Sequence, residues 1–311
     1  MEYTIKNILL PTDFSETANN VLKVAIAIAE DNNANLHLLH VIEPLILGKF
    51  ISINGKIINI QNQLIQNAKE KIAMHATYIE KTTTIKIVTS VNINSVANGV
   101  ASYEENNDID LTIIGTHGKS GYYELLAGSN AISIIKKSNV PILSIPPFFN
   151  KMKFEKILFP IRIVEGTVEK YEYIKPFLKK DNSKLQILGV YEFEKINEVN
   201  ELSEKINEVR HLAQYHHLEV SYDLIPCNGI EQRILDKAEE SESDLIVINA
   251  TLDKKWYHLF MGNTFTDEIL NNAKIPILSI KPKILINDFQ KHLDTWAEEN
   301  NEYTSLNIRP L

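Results

Sequence analysis

Residues 7–15 of the chain read NILLPTDFS, and residues 156–164 read KILFPIRIV. Each begins with an apolar, strand-like run that ends in a proline, and 149 residues separate the two. Three further matches follow in the same order: LHLLHVIE (36–43) with LQILGVYE (185–192), DLTIIGTHG (110–118) with DLIVINATL (244–252), and NVPILSIPP (139–147) with AKIPILSIKP (273–282). The ordered set of matches predicts two copies of one domain.

The separation between matching segments falls from 149 to 134 residues along the chain, so the first copy holds 15 extra residues between its second and fourth strands. We predict domains over about 1–148 and 152–282, joined by PPFFNKMK, and a tail over 283–311. In the longer copy, Asn54-Gly55 lies between alternating apolar residues, which predicts a β-hairpin over 50–60. A lid, a partner-binding arm and a tolerated surface insertion all stay open as its role.

The composition narrows the class of protein. With 311 residues the chain is long enough for two domains that each bury a core, and 44% hydrophobic with 23% charged residues is typical of soluble globular proteins. A formal net charge of −8 argues against binding to nucleic acid, whose phosphates need a basic face. The single cysteine, Cys227, excludes an internal disulfide and favours a reducing compartment.

No secretory or membrane segment is expected from the sequence. The N-terminus lacks the basic region and the long apolar core of a signal peptide. The most apolar helical segment, VLKVAIAIAE (21–30), is short and carries Lys23, so we expect no membrane span. These features together predict a cytoplasmic protein.

Each copy alternates short runs rich in Ile, Leu and Val with longer stretches of helical period. In the first copy we predict strands near 5–10, 36–42, 85–91, 109–114 and 141–146, and helices near 16–31, 62–81, 94–106 and 129–138. Continuous apolar strands separated by helices predict an α/β fold: two tandem domains, each a doubly wound parallel sheet with helices on both faces. Ligands of such sheets bind outside the carboxyl ends of the strands, where the strand order reverses.

A glycine-rich stretch, GTHGKSGYYELLAGSN (115–130), follows the fourth predicted strand. It contains Gly-Lys-Ser, but a P-loop needs a glycine where Ile113 stands, and the glycine spacing of a Rossmann fingerprint is absent. What remains is the pattern G-x2-G-x9-G-S, in which Gly118 lets the backbone approach a ligand and Gly128-Ser129 opens a helix. Because the N–H groups of a helix N-terminus bind phosphate, the pattern predicts a phosphate site.

PTDFS (11–15), the glycine pattern at 115–129 and the closing VPILSI (140–145) together resemble the universal stress protein family. The resemblance extends over nearly the whole chain and implies a tandem of adenine nucleotide alpha hydrolase-like, Rossmann-like domains that bind ATP. It implies that the adenosine part contacts Pro11, Thr12, Asp13 and Val41. It further implies that ribose and phosphates approach Ile114, Gly115, His117 and Gly118, and that the phosphate tail lies at Gly128, Ser129 and Asn130.

Two features leave details of this site open. Asn130, Ala131 and Ile132 follow Gly-Ser, where family members often carry a hydroxyl residue and then an acid. AMP, ADP or a cyclic nucleotide therefore competes with ATP as the expected ligand, and Mg²⁺ as a companion ion stays open. Asp13 also has a purely structural interpretation, because TDFS is a typical N-cap sequence for the helix that follows.

The second copy lacks the pattern. The residues Asp13, Gly115, His117, Gly118 and Ser129 of the first copy correspond to Arg162, Asn249, Thr251, Leu252 and Asn263, and only Gly262 is kept. We predict that the second copy does not bind ATP in the same way, and that Arg162 fills the vacant pocket or pairs with a carboxylate. We expect the second domain to pack against the first, and a homodimer of the chain stays open.

Three functions fit these residues. The first is a regulatory or protective adenine-nucleotide-binding protein of the stress response, the second a slow ATPase or phosphotransferase, and the third a scaffold without ligand. Hydrolysis needs a positioned base and usually Mg²⁺, and no carboxylate pair is spaced for either, so binding is favoured over catalysis. His211, His216 and His217 lack the spacing of metal ligands, so no protein metal site is expected.

Overall fold

The structure is a computed structural model that describes residues 2–44, 56–116, 128–178, 183–250 and 264–281. The elements of the first copy are β1 (Asn7–Pro11), α1 (Glu16–Asn32), β2 (Asn35–Ile42), α2 (Lys56–Glu80), β3 (Ile87–Ile93), α3 (Val96–Asn106), β4 (Leu111–Gly115), α4 (Ser129–Lys137) and β5 (Ile142–Ile145). Those of the second are β6 (Lys156–Ile161), α5 (Tyr171–Ile174), β7 (Lys184–Glu192), α6 (Val199–Tyr215), β8 (Glu219–Cys227), α7 (Ile230–Glu240), β9 (Leu245–Asn249), α8 (Phe265–Asn272) and β10 (Ile277–Ile280).

The ten strands form one sheet in the order β3-β2-β1-β4-β5-β10-β9-β6-β7-β8. The order 3-2-1-4-5 therefore occurs twice, once in each copy, and within each copy the strand pairs are parallel. This arrangement confirms the predicted tandem of doubly wound α/β domains. The copies meet at the antiparallel pair β5 and β10, where two identical ILSI segments lie in register with Leu143 opposite Leu278.

Apolar side chains cover both faces of the sheet, as the continuous strand pattern requires. In β1, Ile8 and Leu10 point to the core beneath α1, α2 and α6, whereas Leu9 points to the core beneath α3, α4, α7 and α8. All three side chains are buried. Burial on both faces explains why these strands read as unbroken apolar runs rather than as alternating ones.

The two copies also share a polar contact at the amino edge of the sheet. Asp110 accepts hydrogen bonds from the amides of Lys6 (2.8 Å) and Asn7 (2.9 Å), at the start of β1. Asp244 accepts the corresponding bonds from Glu155 (3.1 Å) and Lys156 (3.0 Å), at the start of β6. The aspartate that opens DLTIIG and DLIVIN thus has the same role in both copies.

Two sequence expectations need correction. The hairpin predicted over 50–60 is wrong for residues 56–60, which form the first turns of α2; residues 45–55, which include Asn54-Gly55, lie outside the described residues. Apolar residues at positions 57, 60, 64 and 68 continue the helical spacing of the buried face of α2, so the helical pattern prevails over the turn signal. The offset between copies is 134 residues at β4 and β9 but 135 at β5 and β10.

Within the described residues, no helix is long and apolar enough to cross a membrane. In the same part of the chain, no three His, Cys, Asp or Glu side chains are grouped so that they could hold a metal ion. His216 instead accepts or donates within its own domain, with Nδ1 3.2 Å from the Tyr171 hydroxyl and 2.8 Å from the Leu212 carbonyl. The predicted tail over 283–311 lies outside the described residues.

Candidate functional site

The strand order reverses between β1 and β4, and their carboxyl ends lie side by side. The chain leaves β1 through Thr12 and Asp13, and it leaves β4 through Thr116. It returns at Gly128, whose amide donates to the Thr116 carbonyl at 2.6 Å. Residues that are far apart in the sequence therefore meet at one edge of the sheet, at the position where doubly wound sheets bind ligands.

Short hydrogen bonds hold the turn that follows β1. The Thr12 amide donates to the Leu39 carbonyl (2.8 Å), and the Phe14 amide donates to the Thr12 hydroxyl oxygen (3.1 Å). The Ser15 amide donates to Asp13 Oδ1 (2.9 Å). Phe14 has a φ of 60°, a left-handed conformation that costs a bulky residue about 1–3 kcal/mol. The turn is thus both strained and tightly held.

Ser15, not Asp13, caps α1, because the Ser15 hydroxyl accepts the Ala18 amide at 3.2 Å. The structural interpretation of TDFS as an N-cap is therefore satisfied by its last residue. Asp13 lies two residues earlier and closes the turn with one carboxylate oxygen. Its half-buried side chain stands between the strand end and the helix start, where it can also accept hydrogen bonds from a ligand.

Val41, near the end of β2, lies half-buried on the sheet face that α3 and α4 cover. It packs so closely on α3 that a Cβ added to Gly99 would lie 3.0 Å from each of its γ-carbons. Ile114 is buried on the same face, so a ligand at β4 would meet backbone there rather than its side chain.

The N-terminus of α4 carries no side-chain cap within the described residues. Gly128 stands at the N-cap position without a side-chain hydrogen bond, and the first turn contains no acidic residue. Ser129 and Asn130 are exposed there. Amide N–H groups and the positive end of the helix dipole favour an anion at such a terminus. His117 and Gly118 lie outside the described residues.

The second copy closes the equivalent place with its own side chains. At the start of α8, the Thr264 hydroxyl accepts the Asp267 amide and Asp267 accepts the Thr264 amide, both at 3.2 Å, so a carboxylate occupies this helix N-terminus. The Arg162 guanidinium lies 3.8 Å from the centre of the Phe265 ring, across the end of β6. Arg162 thus packs into this place, as one of its two expected roles requires.

A buried lysine completes this closure. Lys170 is 2% exposed, and its ammonium nitrogen donates to the Pro160 carbonyl and to Asn249 Oδ1, the latter at 3.0 Å. Burial, with a smaller effect of Arg162, holds the pKa of Lys170 well below its ordinary value. Asn249 is the counterpart of Gly115, so the second copy has a hydrogen-bonded side chain where the first has a glycine.

The second copy also grips the C-terminal end of α4. Lys281, which follows β10, donates to the carbonyls of Lys136 (2.7 Å) and Ser138 (2.6 Å). Beside it, Glu104 accepts the Thr112 hydroxyl at 2.6 Å, and burial raises the pKa of this glutamate to about 7. Burial lowers the pKa of Lys281 to about 8, although the nearby Glu104 opposes the shift.

Sequence reasoning missed these junction residues and also His40, whose ring contacts the turn after β1. A buried acid such as Glu104 gives no periodic signal, because it occupies an ordinary position on a helix face. His40 had a usable signal, since the aligned position in the second copy is Gly189. That replacement falls next to Val41, in a segment where the two copies otherwise match closely.

A groove of about 190 Å³ lies elsewhere, at the C-terminal end of α1. Its lining comes from α1, from the linker between the copies and from the segment after α5, and it includes Ile28, Asp31, Lys153, Phe154 and Phe177. This end of α1 faces the amino edge of the sheet, so the groove is separate from the carboxyl edge described above.

Fold and site together define a tandem doubly wound α/β protein in which one copy has an uncapped helix N-terminus at the ligand edge and the other is closed by its own side chains. A family model described as the universal stress protein family matches residues 4–146. The universal stress protein MJ0577 of Methanocaldococcus jannaschii is 31% identical over 156 residues, which cover 46% of this chain and 96% of that protein. The chain belongs to the universal stress protein family.

Two further comparisons agree with this assignment. The universal stress protein A homolog 1 of Coxiella burnetii is 32% identical over 143 residues, which cover 45% of this chain and 95% of that protein. A crystal structure of a universal stress protein from Archaeoglobus fulgidus covers 90% of this chain and 98% of its own, with a TM-score of 0.68 at 21% sequence identity. The latter likeness supports the fold over both copies.

Proposed function

We propose that the chain binds one adenine nucleotide, ATP in the first place, at the carboxyl edge of its N-terminal copy. The observation that carries the proposal is the contrast between two equivalent helices. Helix α8 has an acidic side chain at its N-terminus, whereas the described residues place none at the N-terminus of α4. A phosphate is the ligand chemistry that supplies the same negative charge from outside the chain.

The remaining residues fit the other parts of a nucleotide. The Asp13 carboxylate can accept hydrogen bonds from ribose hydroxyls or from the adenine amino group, and Val41 offers an apolar surface to the base. Glycines at 115 and 128 keep Cβ atoms away from the path between β4 and α4. Because the described residues form no metal-ligand cluster, Mg²⁺ would be held mainly by the phosphates of the nucleotide.

The biological role in this proposal is regulatory or protective, in the cytoplasm, with nucleotide occupancy altering a surface that partner proteins recognise. Slow hydrolysis is the second candidate, and the two are separated by the nucleotide that the protein carries. ATP retained unchanged during incubation supports binding alone, whereas steady conversion to ADP supports an ATPase. A scaffold role requires that neither ATP nor ADP binds.

The test is calorimetric titration with Mg²⁺-ATP, together with mass spectrometry of the nucleotide released by acid from gently purified protein. Asp13→Asn keeps an oxygen to accept the Ser15 amide but removes the charge, and a lost charged hydrogen bond of about 1.5–3 kcal/mol weakens binding by tenfold or more. Asp236→Asn, an exposed acid on α7, is the matched control. Wild-type protein that releases no nucleotide and shows no heat with ATP would refute the proposal.

A further inference from the structure

The turn after β1 is attached to β2 by two hydrogen bonds from one residue. The Thr12 amide donates to the Leu39 carbonyl at 2.8 Å, and the Thr12 carbonyl lies 2.7 Å from Nδ1 of His40. A carbonyl oxygen only accepts, so the His40 ring must carry its proton on Nδ1. Both polar groups of the Thr12 backbone therefore face β2.

Peptide geometry turns this contact into an orientation for the next residue. The described residues contain no cis peptide bond, and in a trans peptide the C=O and the following N–H point in opposite directions. Since the Thr12 carbonyl faces β2, the Asp13 amide faces the other neighbour of β1, which is β4. The crevice between β1 and β4 is the place of the candidate nucleotide site.

Aromatic contacts keep the His40 ring in this position. The Phe14 ring lies over it, with centroids 4.6 Å apart and planes tilted by 30°, and the His75 ring of α2 meets the edge of Phe14 at 5.3 Å. Phe14 is also the residue with the left-handed φ of 60°. The strained turn, the histidine and α2 thus form one packed unit beside the site.

The second copy provides an internal comparison. At the position of His40 it has Gly189, and the side chains of Ile206 and Leu224 approach so closely that an added Cβ would lie 2.7 Å from each. No ring can stand there. The Arg162 amide instead donates to the Thr167 hydroxyl at 3.4 Å, a contact within its own loop. The histidine clamp is thus absent from the copy whose helix N-terminus is closed by its own carboxylate.

We propose that His40 is a positioning residue for the nucleotide site, because its ring N–H sets the direction in which the Thr12–Asp13 peptide faces. This inference rests on the proposed nucleotide site, to which it adds a residue that does not itself touch the ligand. The clamp acts through Asp13, the residue expected to contact the adenosine part. Removal of the clamp leaves Asp13 in the chain but not in the orientation that the ligand requires.

The experiment compares two substitutions by titration with Mg²⁺-ATP. His40→Phe keeps an aromatic ring against Phe14 but has no donor for the Thr12 carbonyl, and we expect its Kd to rise about tenfold, equivalent to about 1.4 kcal/mol. His40→Asn places an amide N–H close to the position of Nδ1, and we expect its Kd to stay within about threefold of wild type. His75→Phe, which touches the same ring but not Thr12, is the matched control and should also stay within about threefold.

A second readout needs no nucleotide. In ¹⁵N–¹H spectra of the ligand-free protein, the Asp13 amide signal should move in His40→Phe and keep its place in His40→Asn. Equal affinity of His40→Phe and wild type overturns the inference, and so does a His40→Asn variant as weak as His40→Phe while both keep the wild-type thermal midpoint. If wild-type protein binds no ATP, the proposed function fails, and an Asp13 signal unmoved by His40→Phe separately refutes the clamp.

Discussion

The Lys136 ammonium of α4 lies 3.1 Å from the Asp267 carboxylate, in the first turn of α8. Asp267 is also the acid that closes the capping box of α8, so one carboxylate serves both the N-terminus of a helix in one copy and a lysine in the other. Together with Lys281, it ties the C-terminal end of α4 to the second copy, while the N-terminal end of α4 opens on the candidate site. The closed copy thus supports the helix on which the open copy depends.

We expect Lys281→Met to destabilise the protein by about 1–3 kcal/mol, because two carbonyls at the end of α4 lose a buried charged donor. Urea denaturation measures the change. Lys274→Met is the matched control, since that side chain is 84% exposed, and it should shift the free energy of unfolding by less than about 0.5 kcal/mol. Equal effects of the two substitutions would contradict a structural role for Lys281.

The buried Glu104 predicts a dependence of stability on pH. Its pKa is raised from 4.5 to about 7 on folding, mainly by burial, so the folded state binds the proton more tightly than the unfolded state. The stabilising contribution of the protonated carboxyl is complete below about pH 4.5 and is lost as the pH rises through about 7. At about 1.4 kcal/mol for each pKa unit, the loss is at most about 3 kcal/mol.

Glu104→Gln isolates this contribution, because glutamine keeps an acceptor for the Thr112 hydroxyl but does not titrate. Urea denaturation of both proteins at pH 5, 6, 7 and 8 should give a difference in unfolding free energy that changes steadily across that range. Lys281, with a pKa of about 8 in the folded state, stays charged below pH 7 and contributes little slope there. Parallel curves for the two proteins would show that Glu104 does not titrate in this interval.

The repeat and the alternation of elements were sufficient to predict the fold. Within each copy, local apolar runs specify the strands, and the handedness of crossovers then limits the strand order. The junction of β5 with β10 was beyond that reasoning, because both strands read ILSI and no periodic pattern states which edges pair. Residues 56–60 were misassigned because Asn54-Gly55 outweighed the helical spacing that continues through them.

The site was predictable where short motifs specify backbone shape, at PTDFS and at Gly128-Ser129. Their supporting contacts were not, since they join residues far apart in the sequence. Lys281 reaches a carbonyl 145 positions away, and His40 reaches Thr12 across 28 positions. Such pairs follow from the packing of finished elements, which a single sequence does not display. The roles expected of His117 and Gly118 stay predictions.

Gly99→Ala tests the contact between α3 and Val41. In an open helical position this change would stabilise the protein by about 1 kcal/mol, because alanine favours the helix more than glycine does. Here the new methyl group would lie 3.0 Å from both γ-carbons of Val41, so we expect a loss of about 1–3 kcal/mol instead. Adding Val41→Ala should recover part of the loss in a double-mutant cycle. A stabilising effect of Gly99→Ala alone would show that α3 has room to move.

The N-terminus of α4 offers a test in which stability and binding are expected to move apart. Gly128 has φ −59° and ψ 142°, an extended conformation that any residue adopts, and an added Cβ would lie 3.4 Å from the Thr116 carbonyl oxygen. Gly128→Asp supplies the helix with its own acidic cap, as Asp267 does for α8, which leaves stability unchanged or raises it by up to about 1 kcal/mol. The same carboxylate repels a phosphate, so the Kd for Mg²⁺-ATP should rise by about tenfold or more.

Gly128→Ala is the control for this experiment, because it adds the Cβ without the charge. If the anion site lies at this helix, the alanine variant binds Mg²⁺-ATP several times more tightly than the aspartate variant, while thermal unfolding gives both a similar midpoint. The comparison between the two variants thus isolates charge from shape. Equal affinities would place the phosphates away from α4, and the contrast between the two copies would then reflect helix capping alone.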